Sequence, residues 1–281
     1  MNKKEYLDGM LDRTLRCFSR AEVDKIRDTT FAISGLGGVG AITAELLARW
    51  GVKRFRLLDM DKYEPSNLNR QIFATFRTLE QPKVEVAARR ITEINPHAQV
   101  EMTIAQRVDN ENVEHFVQGS GMLIQNADHP SCRLFYLAGR RHGIPLVNGY
   151  ATVTGGRVQT FDFRNSKCRS PLDGWWQRLK SGNRAKPLEE MESSEIEEFD
   201  RCNVHPTAPS LNFVTNLVGC LIVAEAVKLL TGRGKCALYP KYLVFDTFSY
   251  WMKMRNSHSP VNPDNLKRLW SVLKTKLKPR T

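Results

Sequence analysis

Gly35, Gly37 and Gly40 stand in the pattern G-x-G-x-x-G within "GLGGVG", and Gly38 completes the run. Between a strand and a helix, the first glycine allows a tight turn and the second lets a phosphate reach the backbone. The third allows close packing of the helix. That helix then offers unpaired N–H groups and its positive dipole end to an anion. Asp59 follows Gly40 by 19 residues, at the end of the next strand, where a ribose-hydroxyl acceptor belongs. These residues specify a nucleotide site without naming the nucleotide.

The polar run "SNLNRQ" narrows the choice. Asn67, Asn69, Arg70 and Gln71 cluster just after the ribose acid, and Lys83 follows Arg70 by 13 residues. Asp128 ends a later strand, at the carboxyl edge where open α/β sheets bind ligands. Hydride transfer has no use for two cations and a carboxylate around one phosphate, whereas attack at a phosphate does. Arg70 and Lys83 would neutralise charge building on the phosphate oxygens, and Asp128 would hold Mg²⁺ bridging them. One carboxylate is enough, because Mg²⁺ keeps most of its shell as water and phosphate. The residues therefore point to ATP.

The elements that position them follow from periodicity. Ser19 and Glu22 form a capping box, predicting a helix from Ser19 to Arg27. "TFAISG" reads as a buried strand, "AITAELLARW" as an apolar-faced helix ended by Gly51, and "KRFRLLD" as the second strand. Helices at "QPKVEVAARRITEI", Glu111–Val117 and "SCRLFYLAGRRHG" alternate with strands at "AQVEMTIAQ", "GMLIQNAD" and "IPLVNGY". Such alternation predicts a Rossmann-like, doubly wound, mostly parallel sheet. "GGRVQTFDF", "KYLVFDTF" and "YWMKMR" predict an antiparallel extension. The expected divisions are an N-terminal helical segment (1–30), an ATP-binding core (31–163), a crossover loop (164–208), a buried helix with closing strands (209–257) and a basic C-terminal helix (258–281). The helix in "SLNFVTNLVGCLIVAEAVKLLTG" is apolar nearly all round, so it is expected in the core or at a dimer contact.

Composition sets outer bounds. With 281 residues, 41% hydrophobic and 26% charged, the chain is long enough for one large α/β domain. The opening "MNKKEYLDGMLDR" has no apolar core of a signal peptide, and no apolar run is read as approaching the roughly 20 residues of a membrane span, so a cytoplasmic protein with no membrane partner is expected. Six scattered cysteines form no C-x-x-C pair, which argues against a disulfide framework or a four-cysteine zinc site. Cys220, Cys17 and Cys132 read as structural, the first as core packing within its apolar helix. Net charge is +12. The stretch from Lys253 onward holds eight basic residues against Asp264 alone, suiting an acidic partner or simple solvation.

With "GLGGVG", "LLDMDKYEPSNLNRQ", "QPKVEVAARRITEINP" and "EAVKLLTG" in this order, the sequence resembles the ThiF/MoeB/HesA adenylyltransferases, which include the ubiquitin-activating enzymes. The resemblance runs from about Arg13 to Arg255. It implies that a carboxylate, usually the C-terminal glycine of a ubiquitin-like β-grasp or sulfur-carrier protein, attacks the α-phosphate of ATP to give an acyl-adenylate and pyrophosphate. Asp59 resembles the family's ribose acid, Asn67, Arg70 and Lys83 its phosphate-binding side chains, and Asp128 its metal-binding aspartate. The family's "D-C-T-D-N" reads "QNADH" here, with Gln125 and His129 replacing the first Asp and the final Asn. Arg13 resembles the arginine that reaches a partner subunit's site, implying a homodimer, and Arg16 competes for that assignment. Many relatives bind zinc through two C-x-x-C pairs. Here Cys168 stands alone in the first region and Ser259 and Asn262 occupy the second, so no zinc is expected.

Many relatives also carry a catalytic cysteine before the apolar helix. Cys202 lies in that loop, where it would take the acyl group as a thioester or exchange sulfur, with a downstream conjugating enzyme or a sulfur donor as a further partner. A loop cysteine without a role is the alternative. The leading expectation is ATP-dependent activation of a β-grasp carrier. The alternatives are cyclisation of threonylcarbamoyladenosine in tRNA, which the positive charge suits, modification of a small peptide, and a non-catalytic nucleotide-binding scaffold.

Overall fold

Thr30–Ser34 (β1) is buried along its whole length, as five consecutive residues "TFAIS" require of a strand covered on both faces. The computed structural model describes residues 2–127, 131–165 and 209–259, with 261–263, 265, 266 and 270. Within these residues β1 pairs in parallel with Arg54–Leu58 (β2) and with Met122–Gln125 (β4). Gln99–Ile104 (β3) lies beyond β2, and Leu146–Ala151 (β5) beyond β4. Gly155–Phe161 (β6), Lys241–Asp246 (β7) and Trp251–Asn256 (β8) then add antiparallel. The eight strands run β3-β2-β1-β4-β5-β6-β7-β8. The order reverses between β1 and β4, which opens a crevice at their carboxyl ends.

Helices cover both faces. One core joins Phe31, Ile33, Phe55 and Leu57 of the sheet to Gly40–Arg49 (α3), Lys83–Ile94 (α4) and Asn212–Thr231 (α7). The other joins Ala32, Leu58 and Leu123 to Asn110–Val117 (α5) and Ser131–His142 (α6). Phe31 and Ile33 against Ala32 show the two-residue period deciding which face each side chain enters.

Two helices precede the sheet, where the sequence predicted one. Arg20–Asp28 (α2) starts at the Ser19–Glu22 capping box, with Glu22 N–H donating to Ser19 Oγ at 3.3 Å and Ser19 N–H to Glu22 Oε2 at 2.8 Å. Lys3–Leu15 (α1) is the addition. It carries its own capping box at Asn2 and Glu5 and buries Leu7 and Leu11. Tyr6 Oη donates to the Ile94 carbonyl at 2.5 Å, fixing α1 to the end of α4.

The 20-residue helix α7 is long and apolar enough in composition to cross a membrane, although polar residues interrupt its sequence. Here it packs on the sheet, burying Val214, Val218 and Ile222. Its outer side is open: Phe213 and Cys220 are exposed. Cys220 is therefore not core packing. A helix apolar on all sides does not reveal by period which side meets the sheet. Cys17 is also exposed, in the turn after α1 rather than within a helix.

Candidate active site

The glycine turn joins β1 to α3 above that crevice. Gly35 has φ of +78°, and a Cβ there would lie 2.8 Å from the Ala127 nitrogen. A Cβ on Gly40 would lie 1.8 Å from the Gly35 carbonyl oxygen, so the turn closes only with glycine at both places. Gly37 is different, since among the described residues its Cβ would meet only Gln71 Nε2, at 3.8 Å. A backbone stretch there stays open to a ligand. Helix α3 begins at Gly40 with no capping side chain and no acidic residue in its first turn. Its positive end is left for an anion.

Asp59 reaches this turn from the end of β2. Its Oδ2 accepts the Leu36 N–H at 2.5 Å and its Oδ1 the Asp61 N–H at 2.9 Å. Burial pushes its carboxyl above the usual range, opposed by the positive charge of Lys83 and by the two N–H donors. A carboxyl raised on folding binds more protons folded than unfolded, so its contribution to stability declines as pH rises through that window. Ligand binding has the opposite sign, because the ionised acid is the better acceptor for a ribose hydroxyl. ATP affinity is expected to weaken as pH falls into that window, which begins above the ordinary carboxylate range. Titration of binding against pH checks this, and Asp59→Asn should flatten the dependence.

Lys83 opens α4, and its side chain is only 6% exposed. Its Nζ donates to Asp61 Oδ2 at 2.7 Å and its N–H to the Asp61 carbonyl at 3.0 Å. The loop between them is stitched back by Tyr63 N–H to the Gln81 carbonyl and a bridge between Lys62 and Pro82. Asp61 is a residue the sequence reading missed. Its only signal there is its place two residues after Asp59 in "DMD".

The "SNLNRQ" run forms a 3₁₀ turn at Pro65–Asn67 and the segment after it. Asn67 is buried, and its Oδ1 accepts the Glu64 N–H at 3.2 Å. Arg70 Nη1 donates to the Ser66 carbonyl at 2.8 Å and to Asn69 Oδ1 at 3.0 Å. Asn69 Nδ2 reaches the Ser210 carbonyl at 3.3 Å, just before α7. Gln71 is buried, with its Oε1 unpartnered among the described residues.

The structure thus brings the glycine turn, Asp59, Asp61, Lys83 and Gln71 together. Asp128 and Cys202, like Cys168, lie outside the described residues. Among the described residues no group of three His, Cys, Asp or Glu side chains gathers as a metal site. Arg13 lies in the last turn of α1, 87% exposed, with Nε 3.7 Å from Asp12. Arg16 is tied to the same Asp12 at 2.9 Å.

A parallel sheet with a glycine turn, an uncapped helix start and a buried acid at the next strand end defines a Rossmann-like nucleotide-binding domain. The chain belongs to the ThiF family, whose model matches residues 11–266. It is 33% identical over 165 residues to the molybdopterin-synthase adenylyltransferase of Salmonella typhimurium, covering 57% of this chain and 66% of that protein. The enzyme of the same name from Haemophilus influenzae is 29% identical over 240 residues, 85% of this chain and 88% of that one. The tRNA threonylcarbamoyladenosine dehydratase of Bacillus subtilis is 34% identical over 143 residues, 48% of this chain and 56% of that one. The fold matches a crystal structure of E. coli MccB with ATP at a TM-score of 0.63 and 20% identity, covering 87% of this chain and 68% of that one.

Proposed function

We propose that this chain is an ATP-dependent adenylyltransferase that activates the C-terminal carboxylate of a ubiquitin-like or sulfur-carrier protein. The observation that carries the reading is the convergence on one uncapped helix start of the open Gly37 backbone, Asp59 and the buried Lys83. The family membership and the similarity to two molybdopterin-synthase adenylyltransferases support it.

In this reading Asp59 accepts the ribose hydroxyls, while the N–H groups beyond Gly37 and the start of α3 hold the phosphates. Lys83 leaves Asp61 to meet the oxygens on which charge builds, and Arg70 swings from the Ser66 carbonyl to do the same. Asn67 completes the phosphate contacts. The carrier carboxylate attacks the α-phosphorus, the bond to the bridging oxygen breaks, and pyrophosphate leaves with that electron pair. Asp128 would hold Mg²⁺, which supplies charge neutralisation across the phosphate oxygens. No structural zinc is part of the proposal. Cys202 then takes the acyl group as a thioester, releasing AMP, and a conjugating enzyme's nucleophile takes the acyl group in turn, freeing the thiol. The protein works in the cytoplasm. ATP–pyrophosphate exchange that needs the carrier supports this reading; ATP binding without exchange for any carrier would leave a nucleotide-binding scaffold.

The active form is a homodimer in this proposal. The exposed Phe213 and Cys220 on the outer side of α7 offer it an apolar surface, and exposed Arg13 reaches the partner's phosphates. Mixed dimers test this. Arg13→Ala and Lys83→Met chains should each keep little activity alone, and mixing them equally should restore about a quarter of the wild-type rate, because about half the dimers are mixed and one of their two sites is complete. No recovery would place Arg13 outside the partner's site.

A second reading, action on tRNA, is favoured by one surface. Trp251 on β8 has the Lys253 and Arg255 cations 5.5 and 5.6 Å from its ring. An aromatic face with cations beside it suits an unstacked base and its phosphates. The Bacillus dehydratase adds support. AMP release on adding tRNA, with no response to carriers, would put this reading first.

A further inference from the structure

Asn126 lies at the end of β4, pinned against the nucleotide turn. Its N–H donates to the Ser34 carbonyl at 2.9 Å, and a Cβ on Gly35 would lie 2.8 Å from its carbonyl carbon. Its Nδ2 lies 3.3 Å from where a Cβ on Gly40 would stand. The carboxamide therefore sits beside the turn between Gly35 and Gly40. Both Nδ2 and Oδ1 are shielded from water, and neither has a hydrogen-bond partner among the described residues.

Its neighbour shows the contrast. Gln125 donates from Nε2 to the Ala127 carbonyl at 2.6 Å and accepts from Asn148 Nδ2. The strand end pairs both polar atoms of one amide and, among the described residues, neither of the next. An unpaired buried amide costs folding stability at both of its atoms, so a small apolar residue would serve the free protein better.

A phosphate, which only accepts, would leave Oδ1 unpaired. The ligand group that satisfies both atoms must donate and accept side by side. On adenine the 6-amino group and N7 form such a pair, and a carboxamide matches them with two hydrogen bonds. Guanine has a carbonyl oxygen in place of that amine, so Oδ1 would face a lone pair.

We propose that Asn126 is a specificity-determining residue that turns out from beside the glycine turn to read the adenine edge of ATP. The proposal rests on the reading of this turn as an ATP site. The missing partners in the free form favour the turned-out position when the base arrives, so selectivity is held at a cost to the free protein's stability.

The test uses the whole protein with Asn126→Ala and Asn126→Cys, measuring thermal midpoints without nucleotide and binding of ATP and GTP. Two effects of opposite sign are expected. The free variants melt no lower than wild type, and the preference for ATP over GTP shrinks by at least about tenfold. A lower melting point with unchanged preference would assign Asn126 to the architecture of the turn and overturn the proposal. So would unchanged preference at unchanged stability. Wild-type protein that binds neither nucleotide would overturn the ATP reading itself, a result distinct from either.

Discussion

Lys83→Met is expected to lower carrier-dependent ATP–pyrophosphate exchange by about 10²–10³-fold, the usual loss when one donor to a developing charge is removed. The expectation comes from where the ammonium is and what holds it. The Lys83 stem is buried at the start of α4, and its head is held by Asp61, whose side chain is 53% exposed. Methionine fills the volume of the stem, and the released Asp61 carboxylate turns to water rather than being stranded in the interior. The fold should survive. Asp59 changes as well, because the Lys83 charge opposes the effect of burial on its carboxyl. Without that charge its pKa moves further up, and the pH below which ATP binding weakens should move up with it. Exchange kinetics, thermal denaturation and a pH series of binding on one variant check all three. Exchange within tenfold of wild type would remove Lys83 from the phosphates.

Gly40→Ala tests the turn. Its Cβ would lie 1.8 Å from the Gly35 oxygen and 2.8 Å from the Gly35 carbon, both backbone atoms that no rotamer change can move. The β1–α3 connection must open, with a loss of about 3 kcal/mol of stability and of ATP binding together. Gly37→Ala is the informative partner, because among the described residues its Cβ meets only Gln71 Nε2 at 3.8 Å. Its free form should keep wild-type stability within about 0.5 kcal/mol, while the added methyl stands where a phosphate approaches the backbone. Chemical denaturation and ATP titration on both variants separate the two effects. Gly37→Ala binding ATP as wild type does would show that phosphate approaches elsewhere.

Local chemistry explains what was legible in the sequence. The Ser19–Glu22 box starts α2, and Gly51 closes α3 with φ of +75°. The β/α alternation up to β5 predicted the parallel sheet, and the change of pattern after it predicted the antiparallel strands. Helix α1 was missed because "KKEYLDGMLDRTL" is largely polar. Its place depends on Leu7, Leu11 and the Tyr6 bond to α4, which are tertiary contacts, although Asn2 and Glu5 did carry a capping signal. Cys220 was misplaced because composition alone cannot orient a uniformly apolar helix. The Asp61–Lys83 pair spans 22 residues and depends on a loop folded back by backbone bonds. No spacing rule reports it. The unpaired carboxamide of Asn126 is likewise a property of packing, visible only once the turn stands beside it.

The central claim is that a carrier carboxylate is activated at the glycine turn. Intact-mass spectrometry of a β-grasp carrier incubated with the enzyme, ATP and Mg²⁺ tests it most directly. The expected product is a carrier heavier by one adenylyl group, that is AMP less one water. Wild-type enzyme, but not Cys202→Ala, should also form a thiol-sensitive adduct with the carrier. An unmodified carrier in every pairing, with AMP released only when tRNA is added, would contradict the account.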